Sequence, residues 1–118
     1  MSEEKQLQNP TIKEMEEKYP EMTKEFKRIM RVQYETFCKK MMDYGKGNIL
    51  LGGDIENEED REIALKGITI RINDKSNRLI NLLLKNKKTV NYESSLDNFQ
   101  DITNYCIIAQ IINNVKWK

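Results

Sequence analysis

Residues 63–84 read IALKGITIRINDKSNRLINLLL, and the class of fold turns on them. Ile68, Ile70 and Ile72 alternate with Thr69 and Arg71, which suits a strand of about five residues. The same stretch also carries Leu65, Ile68, Ile72, Leu79 and Leu83 at helical spacing. Its polar residues Arg71, Asp74, Lys75 and Arg78 recur at i, i+3, i+4 and i+7, which makes a second, charged face. A helix accounts for the whole stretch and a strand for only its centre, so we read a helix. Gly67 weakens it by about 1 kcal/mol relative to alanine.

The flanking sequence is helical too. Met22, Phe26, Ile29, Met30, Phe37, Met41 and Tyr44 mark a long amphipathic helix over 20–44. Pro20 opens it, because a first-turn residue needs no N–H, and Gly45 and Gly47 stop it. Thr11 to Tyr19 forms a short helix with Thr11 as its cap. Asn48 to Gly53 is a loop with an apolar centre. A last helix runs from Glu93 or Ser94 to Asn113. Leu96, Phe99, Ile102 and Cys106 form one face of it, and after Tyr105 it is apolar nearly all round. Such an end must be covered, and in a short chain a second subunit serves, so a homo-oligomer is expected. The expectation is an all-α bundle of three main helices plus a short N-terminal one. Residues 1–10 are a flexible N-terminus and 11–118 a single helical domain. The run KNKK at 85–88 ends the third helix with favourable charge, and Thr89 to Tyr92 connects it to the last.

Composition narrows the chemistry. The chain has 118 residues, enough to bury a core, and no histidine, which excludes imidazole bases, His-activated nucleophiles and His-ligated zinc. Lys+Arg 20 against Asp+Glu 19 gives a net charge of +1, so double-stranded DNA is an unfavoured partner. Cys38 and Cys106 form no CxxC, and they read as buried small hydrophobes. No apolar run reaches the roughly 20 residues that span a bilayer, and MSEEKQLQNP lacks an apolar signal core. These features predict a cytoplasmic protein without a membrane partner, in the host cytoplasm if the source is viral. Twelve asparagines with abundant lysine and isoleucine point to an AT-rich genome, a phage or low-GC bacterium.

The charge is segregated along the chain. DIENEEDRE, residues 54–62, holds six acids and reads as a solvated loop running into a helix N-terminus. Glu93, Asp97 and Asp101 stack at i, i+4 and i+8, and Asn104 continues that side. Carboxylates so aligned suit Mg²⁺. Arg71, Lys75 and Arg78 are their complement and suit phosphate oxygens. The two stripes either hold a nucleotide or pair with each other as salt bridges.

Taken in order, Asp43-Tyr44-Gly45, then Arg71-Ile72-x-Asp74-Lys75-x-x-Arg78-Leu79, then Glu93-Ser94-x-x-Asp97-x-x-x-Asp101-x-x-Asn104-Tyr105 resembles a known pattern. It is that of a small, chiefly viral family, the nucleotide-modification-associated domain of the first type, over roughly residues 30–112. The resemblance implies nucleotide-related work, and it carries over Asp43, Tyr44, Arg71, Asp74, Lys75, Arg78, Glu93, Asp97, Asp101 and Asn104. The architecture is also distantly similar to all-α nucleotide pyrophosphohydrolases of the MazG and dimeric dUTPase type. Those hold Mg²⁺ with ExxE and ExxD pairs, whereas Glu93 and Asp97 here are four apart.

Three functions follow as expectations. The first is non-catalytic binding or sequestration of a phosphorylated nucleotide or nucleotide-like signal, in nucleotide metabolism or in evasion of host defence. Its ligand-binding residues are Tyr44, Arg71, Asp74, Lys75, Arg78, Asp97, Asp101, Asn104 and Tyr105, with Tyr44 or Tyr105 stacking on a base. The second is an Mg²⁺-dependent pyrophosphohydrolase, with Glu93, Asp97 and Asp101 as metal ligands. The third is a protein-interaction module that inhibits a host factor through the apolar last helix, with Trp117 either packed against its own core or anchoring the interface.

Overall fold

In the computed structural model the segment that decides the fold is a helix. The structure describes residues 9–85 and 92–118, with the backbone alone at 92–94. The chain order is α1 (Pro10–Lys18), α2 (Pro20–Tyr44), α3 (Gly47–Leu50), α4 (Glu58–Leu79), a π-helical turn (Ile80–Lys85) and α5 (Tyr92–Asn113). No strand occurs among the described residues. Of the flexible N-terminus expected at 1–10, residues 1–8 lie outside them, as do 86–88 of the basic run 85–88 and 89–91 of the connector 89–92, whereas Asn9 and Pro10 cap and open α1.

Burial settles the three isoleucines. Ile68 is 2 % exposed and Ile70 is 62 % exposed, while Ile72 packs on the core. A strand would place all three on one face, whereas a helix separates Ile70 from the other two. Leu83, expected on that face, is exposed. The π turn that begins at Ile80 widens the spiral and rotates later residues out of the 3.6-residue register.

The start of α4 explains the acidic run. The Asn57 side chain accepts from the Asp60 N–H at 3.0 Å, and Glu58, Glu59 and Asp60 fill the first turn beside the positive end of the helix. Asp60 also accepts from the Asp54 N–H at 2.9 Å, and Asp54 accepts from the Glu56 N–H at 3.0 Å. Arg61 donates to the Ile55 carbonyl at 2.8 Å. The acids at 54–60 therefore shape a loop and a cap. Gly53 belongs to this knot, since a Cβ there would lie 3.0 Å from both Asp60 Cβ and the Leu50 carbonyl oxygen.

Two compact units are present, Met1–Thr36 and Phe37–Lys118, and α2 contributes to both. In the first, α1 is capped by Asn9, whose side chain accepts from the N–H groups of Thr11 at 2.9 Å and Ile12 at 3.3 Å. This corrects the expectation of a Thr11 cap. The proline at position 10 suits a first helical position, which moves the cap back to Asn9. Lys27 pairs with Glu16 at 2.6 Å, and Met22, Phe26 and Met30 are exposed.

The second unit holds the core: Ile49, Leu50, Ile55, Ala64, Ile68, Ile108, Ile112 and Trp117, with Phe37, Met41 and Ile72 packed against them. Ile49 and Leu50 were expected in a loop, but they lie in α3, a single turn that drives both side chains into this core. Trp117 is 4 % exposed, meets Phe37 edge-on with centroids 6.0 Å apart, and donates from Nε1 to the Lys46 carbonyl at 2.9 Å. Of the two roles open to this indole, packing against its own core or anchoring a partner, its burial takes the first. Cys38 and Cys106 are exposed rather than buried. Cys106 shares the outer side of α5 with Ile107, because Ile108 and Ile112 already occupy the inner side.

Candidate functional site

The inner face of α5 is not the face that hydrophobicity picks out. Leu96 and Phe99 are exposed, and Ser95 and Asn98 are buried in their place. That rotation turns Asp101, Asn104 and Tyr105 inward. Against them stands α4, with Arg71 and Lys75 one turn apart. The end of α2 supplies Phe37, Lys40, Met41 and Tyr44, and the turn into α3 supplies Gly45 and Asn48. Gly45 makes that turn possible, since its φ of +73° is left-handed and its N–H still reaches the Met41 carbonyl at 2.9 Å. These residues, with Ile49 and Ile108 at the base, enclose a cavity of about 330 Å³ within the second unit.

Asp101 organises the charge. Its Oδ1 receives Lys40 Nζ at 3.0 Å, and its Oδ2 receives Lys75 Nζ at 3.0 Å. Burial pushes the Asp101 carboxyl up, but the hydrogen bonds from Lys75 and Lys40, with their charges, outweigh this and hold it below the usual aspartate range. The Arg71 guanidinium lies over the Tyr105 ring, 5.9 Å from its centroid. Stacking of this kind fixes the planar group and leaves its edge N–H donors available.

The depressed carboxyl has a consequence for acid stability. A group whose pKa falls on folding stabilises the native state in full above its unfolded value, about 3.9 for aspartate. That contribution is lost as pH falls through the lower native value. In urea unfolding followed from pH 7 downward, the wild type is expected to exceed Asp101→Asn in stability at neutral pH. The gap should close below about pH 4. A gap that stays constant to pH 2 would show that the carboxylate's charge is not what stabilises the bundle.

Six of the nine expected ligand residues line the cavity: Tyr44, Arg71, Lys75, Asp101, Asn104 and Tyr105. Asp74, Arg78 and Asp97 are exposed and do not. The register of α4 on α5 sets Arg71 against Tyr105 and Lys75 against Asp101, so the helices run antiparallel. Positions 78 and 97 then fall one turn beyond the cavity. Lys40 and Asn48 line it without having been read as ligands. A signal for Lys40 was present, because it precedes Tyr44 by one helical turn on the same side of α2.

The expected Mg²⁺ ligands are not assembled among the described residues. Both Asp101 oxygens face ammonium groups, Asp97 is exposed, and the Glu93 side chain lies outside the description. No cluster of three His, Cys, Asp or Glu side chains suited to a metal ion occurs among the described residues. No helix among them is long and apolar enough to cross a membrane.

Fold and site together define a small all-α domain with a basic, aromatic-rimmed cavity between three helices. The chain belongs to the family described as Nucleotide modification associated domain 1, whose model matches residues 40–112. Every cavity-lining residue except Phe37 falls in that span. The family description links the chain, coarsely, to nucleotide metabolism. Comparison with curated proteins and with solved structures returned no match.

Proposed function

We propose that this protein binds or sequesters a phosphorylated nucleotide, or a nucleotide-like signal, in the cavity of the second unit. The observation that carries this reading is the convergence of Lys40, Arg71 and Lys75 on one cavity whose rim also offers Tyr44 and Tyr105. Ammonium and guanidinium groups donate to phosphate oxygens, and each has donors left over after its contacts within the protein. Tyrosine offers a flat face to a base, and sequence-tolerant stacking of this kind contributes about 1–3 kcal/mol per base. Asn48 and Asn104 carry both donors and acceptors, which suits the edge of a base or a sugar hydroxyl. The description of the family supports the same ligand class.

This reading needs no metal. With Asp101 committed to two lysines, the cavity favours anion capture over metal-assisted hydrolysis. Isothermal titration with a panel of mononucleotides, dinucleotides and cyclic nucleotides, with and without Mg²⁺, is the test. Saturable one-site binding of at least one member is expected. Absence of heat and of any thermal shift across the whole panel would sink the proposal.

A further inference from the structure

We propose that the cavity selects a nucleoside monophosphate over the corresponding di- and triphosphate, and that Asp101 sets this preference. The inference rests on the nucleotide reading of the same cavity and adds the ligand's phosphorylation state.

Three observations support it. The first is charge. The cavity is lined by three cations, Lys40, Arg71 and Lys75, and one anion, Asp101, so its formal charge is +2. A phosphomonoester carries about −1.5 to −2 at neutral pH, which this balance matches. Each further phosphate adds negative charge that no lining cation remains to offset.

The second observation is layout. Lys40 and Lys75 meet opposite oxygens of one carboxylate, each at 3.0 Å, so their ammonium groups surround a single point. Each keeps two N–H donors beyond the one given to Asp101. Two ammonium groups held this close together beside the carboxylate suit one tetrahedral group that bridges their remaining donors. A polyphosphate tail needs them strung out along a track. The carboxylate itself is a fixed negative charge beside those donors, partly withdrawn from water, and each further phosphate adds to the total repulsion that the lysines must offset.

The third observation is size. A cavity of about 330 Å³ lies at the lower end of the roughly 300–1,000 Å³ range of ligand pockets. One base, one sugar and one phosphate suit that space better than the same unit with a tail.

The test is titration calorimetry of the full-length protein with matched mono-, di- and triphosphates of each nucleoside. EDTA is included so that no bound cation screens the tail. The expected result is that the monophosphate of the preferred base binds about tenfold or more tightly than its triphosphate. In Asp101→Asn, folded as judged by circular dichroism, the ratio should move about tenfold toward the triphosphate. A triphosphate that binds as tightly as the monophosphate, or more so, in the wild type overturns the selection whatever the variant does. An unchanged ratio in Asp101→Asn overturns the role of the carboxylate. Because both outcomes presuppose nucleotide binding, they are distinct from a complete absence of binding, which overturns the parent reading.

Discussion

Arg71→Ala is expected to weaken nucleotide binding by about a hundredfold. Arginine holds phosphate through two parallel N–H donors, and hydrogen bonds to charged groups contribute about 1.5–3 kcal/mol each. Losing both costs about 3 kcal/mol, and 1.4 kcal/mol corresponds to a factor of ten in affinity. Arg71 suits this test better than Lys75. Lys75 is tied to Asp101, so its removal would leave a half-buried carboxylate short of a partner. Arg71 rests on the Tyr105 ring, and removing it leaves the Asp101 pairs intact. Arg71→Lys separates charge from shape. It keeps the cation and loses the fork and the stacked plane, so an intermediate loss is expected. Calorimetry reads both variants, and thermal unfolding verifies that each is folded. Affinity within about threefold of wild type in Arg71→Ala would remove this residue from the binding site.

The order of helices was readable because periodicity survives without knowledge of neighbours. The pattern in 20–44 predicts α2 with the bounds it has, and the acidic run 54–62 predicts a loop and a helix start, which Asn57 caps. Elements that depend on partners were not readable. Gly47–Leu50 is one turn long, too short to show a period, and Ile49 and Leu50 turn inward only because α4 and α5 offer a core. The opening of α5 misled for a different reason. Hydrophobicity assigns Leu96 and Phe99 to the inside, but the inner side there carries Asn98 and Ser95, and it leads on to Asp101 and Tyr105. Polar residues displaced the apolar stripe from the inner face where the cavity lies, a local conflict of the kind expected beside a site.

The same contrast separates the site residues. Arg71 and Lys75 were visible as a stripe, and so were Asp74 and Arg78. Spacing along one helix cannot say how many turns of that stripe face a cavity. The end of α2 decides it, because Phe37, Lys40 and Tyr44 close the space over one turn of α4 only. Asp101 was visible as an acid on a carboxylate ladder. Its pairing with lysines from two different helices requires the tertiary register, and that pairing commits both oxygens of a candidate metal ligand to ammonium groups.

Trp117→Ala is expected to destabilise the protein by about 3–5 kcal/mol, as large aromatic truncations in cores do. A domain is stable by about 5–15 kcal/mol in total, so the variant stands close to unfolding. Two contributions are lost. The indole fills the space beside Phe37, and its Nε1–H is the partner of the Lys46 carbonyl. Trp117→Phe divides them. It keeps an aromatic ring beside Phe37 and removes the donor, so about 1 kcal/mol of the loss is expected from that change, plus a smaller cavity term. Urea unfolding followed by far-ultraviolet circular dichroism measures both, since the signal does not depend on the residue replaced. The consequence reaches the cavity, because Phe37 packs against Trp117 on one side and lines the cavity on the other, and Lys46 directly follows the Gly45 turn. Trp117→Phe should therefore weaken nucleotide binding slightly while the protein remains folded, and Trp117→Ala more strongly. An alanine variant with wild-type urea resistance would mean that the C-terminal tail is an appendage to the bundle. Wild-type resistance is not expected of a side chain that closes the core at the point where α2 turns into α3.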